Sequence, residues 1–538
     1  MQPEDQKMKI NNHHHYPSRR SPVIAGNMVA ASQPLAVQAG LQMYHKGGNA
    51  VDAALATAIM LTLVEPTGCG LGSDAFAIIW DGAQLHGLNA SGRSPSGWTY
   101  ERFEKRGGIP FRGWESVTVP GAVGGWAEIS RKFGKLPFET LFEAAIKYAS
   151  DGFAVSPVIA HLWARGGAEL KDQPGFAQNF LQHGTAPSAG ALYRNPYLAK
   201  TYERIAETKG RAFYEGDLAD RIEGFAIQHD AALRVSDLAN FKPEWCGTLK
   251  NNFDDFDLHE IPPNGQGIAA LIALGILRHT PIRDLDADDP MALHFQIEAM
   301  KLALRDAEYY VADLDYMTPV TPSHLLNDEY HLERAKLIDP NKATDFKAGA
   351  PKVGGTVYLS TADENGMMVS FIQSNYAGFG SGVCVPETGI HLQNRGAGFS
   401  MDRMSPNVVG PSKKPFHTII PAFLMQGNDP LMSYGVMGGP MQAQGHVQMA
   451  LRAQLWKQDP QMAIDAPRWR VTTGVEVACE TSMDPNILER LEEMGHRVVL
   501  EAPDNAFGFG GAQLILKTEN GLYMGGSESR KDGYVGGI

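Results

Sequence analysis

The chain of 538 residues has few cysteines, no basic surplus and no long apolar run. Its four cysteines, Cys69, Cys246, Cys384 and Cys479, stand far apart without a CxxC pair. That spacing excludes a clustered zinc site or a vicinal redox pair and predicts reduced, structural thiols. The net charge of −13 removes the global attraction that drives binding to nucleic acid or anionic lipid, so neither is an expected partner. The longest apolar stretch, Ala53 to Val64, falls short of the roughly 20 residues a membrane span needs, and the first residues lack the apolar core of a secretion signal. A cytoplasmic protein with no membrane partner is expected. His13-His14-His15 lies in a polar tail read as residues 1–22, with no further ligand group nearby, and reads as solvated rather than metal-binding. There is no internal repeat, no low-complexity segment and no Walker A, HExxH or GxSxG motif.

What is present suits a large layered globular unit: 43% apolar and 20% charged residues. Ser32 is positioned as the N-cap of a helix from Gln33 to His45, stopped by Lys46-Gly47-Gly48. A second helix runs from about Asn49 to Val64 and ends before Glu65-Pro66. AFAIIW and QLHGLNA flank Asp81-Gly82 as a hairpin. The region from Gly121 to about Leu337 reads mainly as helices, and the chain beyond Thr356 as strands and turns with one late helix from Pro485 to Met494. Gly68-Cys69-Gly70-Leu71-Gly72-Ser73 imitates a dinucleotide fingerprint, but it follows a helix and enters a strand, the reverse of what that site requires.

The stretch AGAPKVGG, from Ala348 to Gly355, is the loosest internal segment, and it stops at a β-branched strand beginning at Thr356. A threonine hydroxyl needs a base. Were Thr356 to become a chain terminus, its own α-amino group, with a reference pKa of about 7.7 to 8.0, could serve near neutral pH. Flexible Gly354-Gly355 lets the hydroxyl reach the preceding carbonyl, and the strand then holds the nucleophile rigid. A turn at Asp363-Glu364-Asn365-Gly366, closed by a left-handed Gly366 in a three-residue loop, sets Ser374 opposite Thr356.

GNMVAASQPLAVQAGLQMYHKGGNAVDAALATAI, VEPTGCGLGSDAFAIIWDG, the segment TVYLSTADENGMMVSFIQSNYAGFGSGVCVPETGIHLQN, MGGPMQAQGH and the closing GGSESRKDG stand in one order along the chain. Together they resemble the γ-glutamyltransferase (γ-glutamyltranspeptidase) family of N-terminal-nucleophile hydrolases. The resemblance implies an α+β fold, a four-layer αββα sandwich. It also implies a precursor cut into a large chain (23–355) and a small chain (356–538) that stay packed as one unit, with no metal or organic cofactor and with a small-molecule amide as substrate. A homodimer is compatible with it. Thr356 matches the family nucleophile, Gly355 and Thr356 the cleavage junction, and Ser374 the threonine that hydrogen-bonds the nucleophile. Gly438 and Gly439 match the pair whose amides form the oxyanion hole.

The substrate-binding positions depart from the typical transpeptidase. The carboxylate-holding arginine falls near Ser91, with Arg93 two residues on; the amine-holding aspartate falls on Gly398; a glutamine becomes Arg395, an asparagine Tyr376, and a Ser-Ser pair His417-Thr418. Losing an acceptor of a cation while gaining an arginine predicts an acyl group with a carboxylate and no α-ammonium, held by Arg93 or Arg395. The Phe399 to His417 segment is shorter than its counterpart, so a missing lid and hydrolysis rather than transfer are expected. The NASGR and NRGAGFS variants resemble the subgroup that includes glutaryl or cephalosporin acylases and oxamate amidohydrolase. An unprocessed, non-catalytic scaffold is the alternative of another class.

Overall fold

The structure is a computed structural model describing residues 20–347, 355–502 and 508–538. The His13-His15 run and residues 348–354 of the linker lie outside the described residues.

Two seven-stranded antiparallel sheets are built from distant parts of the chain. The first runs Tyr534–Gly537, Met28–Ala31, Gly355–Ala362, Met368–Tyr376, Asp74–Trp80, Leu85–Ala90 and Glu244–Trp245. The second runs Val23–Ala25, Tyr523–Ser527, Gly511–Lys517, Asp429–Met437, Ala422–Gln426, Phe256–Glu260 and Leu249–Phe253. Period-two alternation divides each strand between two cores. Val357 and Leu359 pack beneath the helices Pro34–His45 and Ala50–Val64, while Tyr358 and Ala362 pack with Phe423, Met437 and Ile515 between the sheets. Helices Gly267–Leu277 and Pro290–Tyr310 cover the far side of the second sheet. The layering is therefore helix, sheet, sheet, helix.

Ala50–Val64 is buried along its whole length, which explains why it is apolar on every side rather than striped. Asn49 caps it reciprocally with Asp52, at 3.1 and 3.0 Å, an arrangement of the kind that contributes about 1 kcal/mol. Ser32 is not a cap. Its hydroxyl donates to Glu65 at 2.5 Å, and the first helix starts at Pro34, which has no amide hydrogen to be capped.

Two further expectations need correcting. The helix-rich middle contains the hairpin Leu249–Phe253 and Phe256–Glu260; its signal was Asp254-Asp255, with Asp254 at φ 52°, a turn residue type that tolerates the left-handed region. The strand-rich end contains the helix Met441–Ala450. Its glutamines gave no amphipathic pattern because they bind neighbouring backbone: Gln442 accepts the Ile420 amide at 3.0 Å and Gln444 the Val471 amide at 2.7 Å.

Candidate active site

Loop length sets the register. Asp363 and Met367 close the hairpin at 3.0 Å, Gly366 takes φ 92°, and the ladder pairs Ser360 with Ser370 and Val357 with Gln373. Continuing it brings Thr356 to Ser374, at a bulge between Gly355 and Val357. The Thr356 and Ser374 hydroxyls are 3.0 Å apart, and both residues are buried.

A serine hydroxyl has one proton to give and two lone pairs to accept with. Ser374 Oγ lies 2.5 Å from the Gly355 carbonyl oxygen, which can only accept, so the Ser374 proton goes there. It then accepts the Tyr376 amide at 2.8 Å and the Thr356 hydroxyl. The Thr356 hydroxyl proton thus points at Ser374, while Ser374 polarises the carbonyl of the peptide bond before Thr356.

Arg395 extends this chain of contacts. Its Nη2 lies 3.4 Å from Ser374 Oγ and its Nη1 donates to Thr418 Oγ1 at 2.9 Å, with the guanidinium 4.3 Å above the Tyr376 ring. Tyr376 itself adopts φ 78°, rare for a bulky residue. Arg395 is fully buried and its Nε has no partner. Burial pulls the guanidinium down to about 10, against the pull of Asp74 and Tyr376. Gln266 then links Thr418 to the glycine pair, since its Nε2 donates to Thr418 O at 2.6 Å and Gly439 O at 2.8 Å. Gly438 and Gly439, at φ 135° and 61°, turn the Asp429–Met437 strand into the Met441–Ala450 helix. Only glycine adopts both angles without strain.

The other predicted residues sit differently. His417 is buried, and its Nε2 is 3.0 Å from Asp74 Oδ2. Ser91 donates to Asn89 Oδ1 at 2.7 Å. Arg93 binds Asp313 at 2.8 Å and lies 3.6 Å from Glu244, on a separate cavity of about 440 Å³ that Ser91 and Lys414 also line. Gly398 belongs to a cleft of about 560 Å³ whose wall includes Gln266, Phe399, Asn407, Phe416 and Pro440. A Cβ there would meet the Phe416 carbonyl oxygen at 2.7 Å, so the backbone leaves no room for an aspartate. The Phe399 to His417 segment forms one wall of this cleft, which Lys347 also lines.

The glycine run that imitates a nucleotide site is explained by packing. A Cβ on Gly68 would meet the Thr356 carbonyl oxygen at 3.1 Å, one on Gly70 the His391 ring at 2.1 Å, and one on Gly72 the His391 carbonyl oxygen at 2.3 Å. Asp74 and Gln266 were not singled out by sequence. The signal for Asp74 was available: a carboxylate heading the otherwise apolar AFAIIW strand.

The gamma-glutamyltranspeptidase family model matches residues 36–538. The chain belongs to the gamma-glutamyltranspeptidase family. It is 36% identical over 533 residues to the oxamate amidohydrolase proenzyme of Klebsiella pneumoniae, covering 96% of this chain and 99% of that one. It is 33% identical over 520 residues to the glutathione hydrolase-like YwrD proenzyme of Bacillus subtilis, covering 95% and 98%. The crystal structure of a cephalosporin acylase from Bacillus halodurans superposes with a TM-score of 0.94 at 43% identity, over 99% of both chains. As a member of this gamma-glutamyltranspeptidase family, the chain is an enzyme with the N-terminal-nucleophile hydrolase fold.

Two remaining features bear on partners and metals. Among the described residues, no helix is long and apolar enough to cross a membrane. His294, Glu298 and His496 form a buried group with the composition of a metal cradle. The Lys301 ammonium already lies 2.6 Å from one Glu298 oxygen, and the Thr344 amide donates to the other at 3.1 Å. That carboxylate is therefore neutralised without an ion.

Proposed function

We propose that the chain cuts itself before Thr356 and that the freed Thr356 then hydrolyses amides whose short acyl group carries a carboxylate. The observation that carries this reading is the position of Ser374, whose hydroxyl touches both the Thr356 hydroxyl at 3.0 Å and the Gly355 carbonyl oxygen at 2.5 Å. In processing, Thr356 Oγ1 bonds to the Gly355 carbonyl carbon as the Gly355–Thr356 C–N bond breaks, and the hydroxyl proton moves to the departing nitrogen. Water then hydrolyses the ester. It leaves Gly355 as a carboxylate, ending the fragment 1–355 that contains the large chain of residues 23–355, and Thr356 with a free amine, opening a small chain of residues 356–538.

Thr356 and Ser374 are closed off while the chain is whole, so departure of Gly355 also vacates the position that a substrate carbonyl takes. In turnover Thr356 attacks the amide carbonyl, its amine moves the proton, and the Gly438 and Gly439 amides stabilise the oxyanion. The amine product leaves, and water releases the acid.

Arg395, backed by Thr418 and stacked on Tyr376, receives the acyl carboxylate. It is a buried cation with no carboxylate partner among the described residues, one hydroxyl away from the nucleophile, which suits an oxamyl-like acyl group better than a long one. Gly398, with no space for an aspartate, supports an acyl group lacking an α-ammonium. Arg93 is committed to Asp313 and acts with Ser91 from the neighbouring cavity, while His417 buttresses the pocket through Asp74. The four unpaired cysteines support a reducing, cytoplasmic setting.

Denaturing mass spectrometry over time tests the first claim. The wild-type chain is expected to yield two species, the smaller beginning at Thr356, and Thr356→Ala to remain intact with a loss of amidase activity of about 10⁴-fold or more. An intact, active wild-type chain would refute it. A panel of oxamate, glutaryl amides and glutathione tests the second, and glutathione as the best substrate would overturn the role given to Arg395 and Gly398.

A further inference from the structure

A second buried ionisable group lies near Arg395. Asp74 is buried at the head of the Asp74–Trp80 strand, where its Oδ1 accepts the Gly92 and Gly121 amides at 3.3 and 3.2 Å. Its Oδ2 meets His417 Nε2 at 3.0 Å. His417 Nδ1 accepts the Ile419 amide at 3.3 Å, so the ring proton resides on Nε2 and points at Asp74. The next residue, Thr418, accepts from Arg395. The titratable and charged groups around Asp74 are therefore His417, Arg395, Lys414 and, on the helical side, Tyr214. Lys414 is already neutralised by Glu244 at 2.8 Å. Asp74 is left as the balancing charge for Arg395, at a separation longer than an ion pair.

We propose that Asp74 is a specificity-determining residue: it balances Arg395 while the acyl pocket is empty, and the Asp74–His417 pair takes up one proton from solvent when a substrate carboxylate docks on Arg395. This rests on the reading of Arg395 as the carboxylate receptor. The reason is electrostatic. Two carboxylates around one guanidinium in a closed, poorly polarisable pocket repel each other, and neutralising one is less costly than keeping both charged. Burial already pushes Asp74 up to about 7, against the pull of Arg395 and the two glycine amides. Burial, with the Arg395 and Lys414 cations, holds His417 well below 6.5. Gly92, whose amide binds Asp74, stands in the chain between Ser91 and Arg93, which line the second cavity. An uncharged acyl group neither engages Arg395 nor draws in the proton, so discrimination for anionic acyl groups is set by Asp74 as well as by the arginine.

The test is isothermal titration of the processed enzyme with oxalate and with glutarate, product acids that are not turned over, in two buffers of different ionisation enthalpy. At pH 8 both acids are already fully ionised, and the wild type is expected to take up between about half and one proton per site, the Asp74→Asn variant close to none. Asp74→Asn is further expected to bind the acid about tenfold more tightly at pH 8 and equally well at pH 6. A merely structural aspartate would weaken binding at both values. Binding without proton uptake by the wild type overturns the proposal, and that measurement needs no variant to fold. Weaker binding by Asp74→Asn at both pH values overturns it too. If neither acid binds, or Arg395→Ala binds them as well as the wild type, the assignment of Arg395 itself is wrong and this inference falls with it.

Discussion

Two buried charge clusters in this protein differ in one respect, and the difference separates scaffold from site. The closing GGSESRKDG segment supplies Glu528 and Arg530 to a cluster with Arg468 and Glu480. Arg468 meets Glu528 at 2.7 Å, and Arg530 meets Glu480 at 2.5 and 2.6 Å and Glu528 at 2.8 Å. Every charge there has an opposite charge in contact. Burial would raise Glu528, but Arg468, Arg530 and two backbone amides hold it down to about 2. Beside Thr356, Arg395 contacts only hydroxyls and a ring; an Nε without a partner is common to Arg395 and Arg468, so the difference lies in the carboxylates that touch Arg468 and not Arg395. A network in which every charge is paired fixes the fold, whereas a buried cation with no contacting carboxylate leaves a charge that an anion can balance.

The sharpest way to break this comparison is to truncate one arginine from each cluster. Arg468→Ala leaves Glu528 buried without that partner and is expected to cost about 3–5 kcal/mol of stability, seen as a large fall in Tm or loss of soluble protein. Arg395→Ala removes a cation that lacks a contacting anion, so Tm is expected to hold or rise. Its kcat/KM on a carboxylate-bearing amide should fall by an amount worth about 2–5 kcal/mol, mostly through KM. Equal loss of Tm in both variants would erase the distinction.

A smaller effect follows from pH. Glu528 has a folded pKa below its ordinary 4.5, so its stabilisation is present above that value and is lost as pH falls towards about 2. Asp74 is the reverse: its folded pKa is raised from 3.8 to about 7, so stability is greatest below the ordinary value and declines as pH rises from about 4 to about 7. Asp74→Asn should flatten the upper part of a Tm-against-pH curve and leave the acid limb unchanged. A change confined to the acid limb would refute that assignment.

The hairpin carrying Thr356 was legible because a three-residue loop with a left-handed Gly366 fixes register locally, and register alone brings the two hydroxyls together. The second helix, read from about Asn49, starts at Ala50, within one residue, because its cap is a local feature of Asn49 and Asp52. The Ser32 cap and the mid-chain strands were misread because local propensity competes with partners far away in sequence, such as Glu65 for Ser32. The pocket was only half legible. Gly398 and Arg395 stood out in the sequence as departures, but that Arg93 is spent on Asp313 and that His417 answers to Asp74 depends on contacts between residues hundreds of positions apart.

By itself the sequence determined the local grammar of this protein: where the second helix starts, how the Thr356 hairpin turns, and that a hydroxyl would face Thr356. Only the tertiary structure decided which buried charges are satisfied. Satisfaction is a property of three-dimensional neighbours, and whether an arginine holds the fold or waits for a substrate depends on the carboxylate beside it.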